Sequence, residues 1–97
     1  MDVNWTIPAK EDLHHIYSYI SQDSVYYALE VSEAILEATS RLSGFPFQGR
    51  VVPELSDDGV RELFLYSYRV IYQLKNDSIY ILAIVNMRQI LGKGFLL

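Results

Sequence analysis

Apolar and polar residues alternate along this chain with two different periods, and each period predicts an element. In VNWTI, Val3, Trp5 and Ile7 share one face at a spacing of two, which predicts a short strand. Pro8 suits the first turn of a following helix, because its missing N–H would be unpaired there in any case. In AKEDLHHIYSYIS, Leu13, Ile16, Tyr17 and Ile20 recur at helical spacing. Glu11 and Asp12 are expected in the first turn, where the helix dipole favours carboxylates. SQDS then breaks the pattern and offers Asp23 or Ser24 as the cap of a second helix. Its expected stripe is Val25, Ala28, Leu29, Ser32, Ile35, Leu36, Thr39 and Leu42. Gly44 and Pro46 end it. So short a link predicts an antiparallel helical hairpin.

The period changes to two in the second half. FPFQGRVVPELSDDG reads as a loop rich in Gly, Pro and Asp, VRELFL as a strand, and YSYRVIYQL and IYILAIV as two more strands joined by the turn NDS. The order is strand, helix, helix, strand, strand, strand. This is an α+β fold: the helical hairpin packs on one face of a mainly antiparallel sheet.

The last hairpin is apolar on both faces. Val70, Tyr72 and Leu74 alternate with Arg69, Ile71 and Gln73, and Ile79, Ile81, Ala83 and Val85 alternate with Tyr80, Leu82 and Ile84. The helices can cover one set. The other leaves Ile71, Tyr80, Leu82 and Ile84, or their counterparts, needing cover, because a monomer seldom exposes so large an apolar patch. Either a partner supplies the cover, or FPFQG and the tail ILGKGFLL fold over it.

Composition narrows the function classes. Ninety-seven residues fit a single domain spanning 1–97, and such a domain buries roughly two thirds of its unfolded surface. Hydrophobic residues make up 51% and charged residues 21%, which excludes a disordered chain. There is no cysteine, hence no disulfide, thiol nucleophile or thiolate metal site. The first residues have neither the basic start nor the apolar run of a signal peptide. No run approaches the ~20 apolar residues that span a bilayer. A cytoplasmic protein that does not engage membranes is expected.

The net charge of −4 is unevenly spread. Before Gly59 ten carboxylates face only Lys10, Arg41 and Arg50, whereas after it Arg61, Arg69, Lys75, Arg88 and Lys93 face only Glu62 and Asp77. Two solvated faces of unlike sign, or a local anion site on the strand side, both fit this division. An isoelectric point near 4.9 argues against general nucleic-acid coating. His14 and His15 point ~100° apart on a helix and make a poor chelating pair. No metal or cofactor is expected.

The segment from Gly49-Arg50 through Pro53-Glu54-Leu55, Arg61-Glu62-Leu63 and Tyr68-Arg69-Val70-Ile71-Tyr72, with the last strand ending near Arg88, resembles the ParE/RelE superfamily of bacterial toxins from type II toxin–antitoxin pairs, the plasmid-stabilisation proteins. The element order agrees over nearly the whole chain. The resemblance implies a cytoplasmic toxin held in a hetero-oligomer by a cognate antitoxin. Such antitoxins bind through an otherwise disordered segment, as a helix in a groove or an added strand. Expected partner-contact residues are Arg61, Arg69, Ile71, Tyr80, Leu82, Ile84 and Arg88.

The superfamily divides in activity. RelE-like members cleave messenger RNA on the ribosome, and ParE-like members poison DNA gyrase. Cleavage through the 2′-hydroxyl needs a base, an acid and cations on the phosphate. Arg61, Arg69 and Arg88 are the residues the resemblance offers for that role. RelE-like members carry a tyrosine or histidine near the end, but this tail, QILGKGFLL, has Phe95 and neither of those residues. ParE-like members often carry a histidine where this chain has Asn86. The reading is a ParE-like gyrase inhibitor acting by protein contact. A RelE-like ribonuclease, or an inert module that only binds the antitoxin, are the alternatives. For Arg50, Arg61 and Arg69 a structural role, such as pairing of Arg69 with Glu62, competes with a functional one.

Overall fold

The computed structural model describes residues 1–92, 94 and 96; Lys93, Phe95 and Leu97 lie outside the described residues. The elements are β1 (Asp2–Trp5), α1 (Ile7–Ser21), α2 (Val25–Ser40) with a 3₁₀ turn at Arg41–Ser43, β2 (Arg50–Val51), β3 (Val60–Leu65), β4 (Tyr68–Lys75) and β5 (Ser78–Asn86). They form one sheet in the order β1-β5-β4-β3-β2, antiparallel except where β1 runs parallel to β5. The α+β architecture is the one expected. β2 is added at the edge, inside what the sequence pattern marks as loop. No helix among the described residues is long and apolar enough to cross a membrane.

Helix starts follow the capping residues. Thr6 caps α1: its hydroxyl accepts from Ala9 N and donates to the Ile81 carbonyl at 2.8 Å, joining the helix start to β5. The helix therefore begins at Ile7, which is 70% exposed and does not continue the strand. That start also places Glu11 and Asp12 beyond the first turn, contrary to expectation. Asp12 accepts instead from Ile84 N at 2.9 Å, a β5 amide beyond the reach of β1. Ser24 caps α2 by accepting from Tyr27 N. The buried face of α2 is Ala28, Val31, Ile35, Ala38 and Thr39, continued by Leu42. Val25, Leu29 and Leu36 of the expected stripe stay about half exposed.

The sheet has a core on each face. Ala9, Val31, Ile35 and Leu42 of the helical layer meet Val70, Tyr72, Ile79, Ile81 and Ile84. On the far face Ile71, Leu82 and Ala83 pack with Val52, Leu55, Val60 and Leu91. Strict alternation in β5 would send Ala83 toward the helices and Ile84 away from them. A β-bulge reverses this. Ile71 pairs with Ala83 and Tyr72 with Ile81, so Leu82 is the extra residue, and the phase flips there. Asn76 and Asp77, both at positive φ, form the tight turn between β4 and β5.

The far face is thus covered by the chain itself. Ile71 and Leu82 are 0% and 3% exposed, so of the two kinds of cover the sequence left open, the chain's own segments supply one here, while Ile84, 5% exposed, packs in the helix-side core. The cover comes from VVPEL, through Val52 and Leu55, and from Leu91 and Leu96 of the tail. It does not come from FPFQG, where Phe45 and Phe47 are 69% and 61% exposed. That loop is anchored differently. The buried Tyr72 hydroxyl accepts from Gly49 N at 2.9 Å and donates to the Pro46 carbonyl at 2.9 Å. Gly49 is required there, because a Cβ would lie 2.5 Å from the Glu62 carbonyl oxygen.

Replacing Tyr72 by Phe leaves the Gly49 amide and Pro46 carbonyl without that partner. A loss of about 1–3 kcal/mol is expected in urea unfolding, with the fold retained.

Candidate functional site

Two arginines of the resembling segment, Arg50 and Arg69, converge with Glu54 and Glu62 on the far side of the sheet as an ion cluster. Glu62 and Arg69 project on the face that carries Val60 and Ile71, since residues two apart in a strand share a face. Neither can reach water: Glu62 is 1% and Arg69 4% exposed. A buried charge persists only when paired and hydrogen-bonded. The Arg69 Nε donates to Glu62 Oε1 at 2.6 Å. Its two terminal nitrogens grip the Glu54 carboxylate in a fork, both at 2.8 Å. Nη1 also donates to the Gln89 carbonyl at 2.9 Å. The second Glu62 oxygen accepts from Arg50 Nε at 2.6 Å. Glu54 completes the ring by accepting from the Leu91 amide at 3.2 Å. Two guanidinium groups and two carboxylates cancel in charge.

The titration shifts follow from these contacts. The Arg69 fork holds the Glu54 carboxyl down at about 2, against the smaller opposing effect of burial. The same fork, with Glu62 behind it, pushes the Arg69 pKa above that of a free guanidinium, although burial opposes this.

The remaining cations differ in how far they are engaged. Arg61 Nε donates to the Asp58 carbonyl at 3.1 Å and Nη1 to the Gly49 carbonyl at 3.0 Å, while its guanidinium lies 4.9 Å from the Phe47 ring centre. Arg50 lies 4.7 Å over Phe64. Arg88 is exposed, and among the described residues its side chain has no hydrogen bond or ion pair; only its amide is held, by Asn86 Oδ1. Tyr80 is half-buried at the rim of the far core. His14 and His15 are both exposed on α1, on the other side of the sheet. Among the described residues no group of three or more His, Cys, Asp or Glu side chains could hold a metal ion.

Of the seven expected contact residues, the structure leaves Arg61, Tyr80 and Arg88 accessible and buries Arg69, Ile71, Leu82 and Ile84. The pairing of Arg69 with Glu62 was one of the readings open in the sequence. The dominant partner, Glu54, was not. Its available signal was a carboxylate in VPEL flanked by Val52 and Leu55, two apolar residues that must be buried.

Residues 3–91 match the family model described as ParE toxin of type II toxin–antitoxin system, parDE. Among solved structures, a chain of the chromosomal ParDE system from P. aeruginosa is 30% identical, with a TM-score of 0.74 over 89% of this chain and 95% of that one. A chain of the toxin–antitoxin complex RelBE2 from Mycobacterium tuberculosis shares the fold at 21% identity. Its TM-score is 0.61, over 88% of this chain and 95% of its own. No curated protein sequence matches the chain.

Because the Glu54 carboxyl is depressed from 4.5 to about 2 in the folded protein, its contribution to stability is complete above about pH 4.5. It is lost as the pH falls toward 2. Glu54→Gln should remove that acid-side loss and lower stability at pH 7 by about 1–3 kcal/mol. Urea midpoints measured from pH 7 down to pH 3 check both effects.

Proposed function

This chain belongs to the ParE toxin family of type II toxin–antitoxin systems, and from that premise we propose that it inhibits DNA gyrase by protein contact and does not cleave RNA. The observation that supports this reading is the engagement of Arg69. A guanidinium that stabilises a phosphorane-like transition state must be free to meet developing charge. Arg69 is 4% exposed and divides its donors between two carboxylates and a carbonyl. Recruiting it would leave Glu54 and Glu62 without their cation, a cost of several kcal/mol for the buried Glu62. Of the three arginines offered for phosphate binding, Arg88 alone is unengaged among the described residues.

A protein-contact mechanism asks for something the structure has: accessible arginine beside exposed aromatic rings. Arg61 against Phe47 and Arg50 against Phe64 form such a rim, with Phe47 61% and Phe64 46% exposed. Arginine and aromatic side chains dominate the energetics of protein interfaces. With Arg88 and Tyr80 they are the surface proposed to meet gyrase in the cytoplasm. A cognate antitoxin neutralises the toxin in a hetero-oligomer, and needs no cofactor to do so.

The test is a plasmid assay with purified gyrase and this protein. The expected result is linear DNA after denaturation, or lost supercoiling, reduced about tenfold in potency by Arg88→Ala together with Phe47→Ala. No effect at excess protein, with ribosome-dependent RNA cleavage that Arg88→Ala abolishes, would replace this reading by the RelE-like one. Neither activity, and no growth arrest on induction, would leave an inert antitoxin-binding module.

A further inference from the structure

The turn Phe45-Pro46-Phe47-Gln48 exposes two phenyl rings on a backbone that is pinned from all sides. Pro46 takes the second position of the turn, where its fixed φ fits, and Gln48 N donates to the Phe45 carbonyl at 3.1 Å. Upstream, the amides of Gly44 and Phe45 both donate to the Arg41 carbonyl at 3.2 Å. Downstream, Arg61 Nη1 holds the Gly49 carbonyl at 3.0 Å. The buried Tyr72 hydroxyl ties Pro46 to Gly49. The rings themselves stand clear, Phe45 at 69% and Phe47 at 61% exposure. With Pro46, Arg41 and Gln48 they line an open cleft of about 520 Å³, just before the edge strand β2. A single exposed aromatic ring needs no explanation. Two on one pinned turn, with a guanidinium against one of them, have the make-up of an interface hot spot that needs no ordering on binding.

Charge narrows the occupant. Among the described residues Arg61 enters no ion pair. Its donors go to carbonyls, and Asp58 lends it the backbone oxygen, not the carboxylate. Arg41 pairs with Glu37 at 3.0 Å in an exposed i, i+4 contact. Such a pair is worth so little that Arg41 can exchange Glu37 for another carboxylate. No carboxylate lines the cleft. A basic segment would meet two guanidinium groups there, and a wholly polar one would leave the rings in water. The complement is an apolar side chain with a carboxylate beside it.

We propose that this cleft is the apolar centre of the gyrase contact. An apolar side chain of gyrase packs against Phe45 and Phe47, and a neighbouring gyrase carboxylate meets Arg41 and Arg61. Tyr72 is the positioning residue: it touches nothing of the partner and acts through the turn it pins. The identity of the partner rests on the gyrase reading; the chemistry of the cleft does not.

The test follows binding of the full chain to immobilised purified gyrase by surface plasmon resonance. It is run at about 0.1 M and about 1 M salt, between which the screening length falls from about 10 to about 3 Å. Phe45→Ala should weaken binding about tenfold, through faster dissociation. Arg41→Gln should slow association and flatten the salt dependence. Tyr72→Phe keeps both rings and both charges. It should weaken binding about fivefold, leave the salt dependence as in the parent chain and speed solvent exchange of the Gly49 amide. Ile35→Val, which trims the same helix-side core, is the stability control and should bind as the parent does. So should Tyr26→Ala, a 77% exposed ring roughly 22 Å along α2 from Arg41. Phe45, Arg41 and Tyr26 are exposed, so the fold survives these changes, as circular dichroism can verify. If the parent binds gyrase and Phe45→Ala and Arg41→Gln behave like Tyr26→Ala, the proposal is overturned while the gyrase reading stands. If Tyr72→Phe matches Ile35→Val in affinity, the positioning role of Tyr72 falls. Absence of binding by the parent chain overturns the gyrase reading itself, and with it the partner named here.

Discussion

The Arg69 guanidinium determines how the far face of this sheet is closed. A five-stranded sheet with helices on one side has a second apolar face, here Ile71, Leu82 and Ala83, that water must not reach. The chain covers it with two segments that have little regular structure of their own: the loop carrying Val52, Glu54 and Leu55, and the tail carrying Gln89 and Leu91. Both are tied to one side chain. Glu54 takes the fork of Arg69, the Gln89 carbonyl takes a further donor, and the Leu91 amide returns to Glu54. Glu62 holds Arg69 from beneath and Arg50 at the rim. Such a buried network is costly if incomplete and rigid if complete. Here each charge has its counter-charge, so cover and sheet behave as a unit.

Much of this was legible in the pattern of residues. Helical spacing and the cap at Ser24 define local structure from neighbours a few residues apart, and period two in VRELFL and YRVIYQL does the same for strands. The phase of β5 was not legible. A run in which nearly every residue is apolar carries no alternation to read, and the extra residue at Leu82 exchanges the faces of Ala83 and Ile84 without any polar marker. Burial of α2 was displaced for a related reason. Val25, Leu29 and Leu36 are as apolar as Val31 and Ile35, and only the position of the sheet decides between the two lines. The Arg69–Glu54 fork spans 15 residues through an irregular loop, a distance over which periodicity has no reach. The resemblance to toxins offered Arg69 for phosphate binding; the structure holds it buried between Glu54 and Glu62.

This division of labour separates the faces. The arginine-rich end is nearly self-neutralised: carboxylates take Arg50 and Arg69, carbonyls take Arg61. Among the described residues, Glu30 and Glu33 of the helical end stand outside any ion pair. An acidic protein of the ParE family thus carries its net charge on the helices, while its strand rim exposes aromatic rings beside guanidinium groups.

The account depends most on Arg69 being a locked structural cation, and side-chain NMR observes that group directly. In a ¹H–¹⁵N spectrum near neutral pH, the Arg69 Nε–H should give a resolved, slowly exchanging resonance, because it is buried and bonded to Glu62. It should not move when a short RNA oligonucleotide is added in excess. A rapidly exchanging Arg69 signal, or one that shifts on titration with the RNA, would contradict the account and return this arginine to the phosphate-binding role.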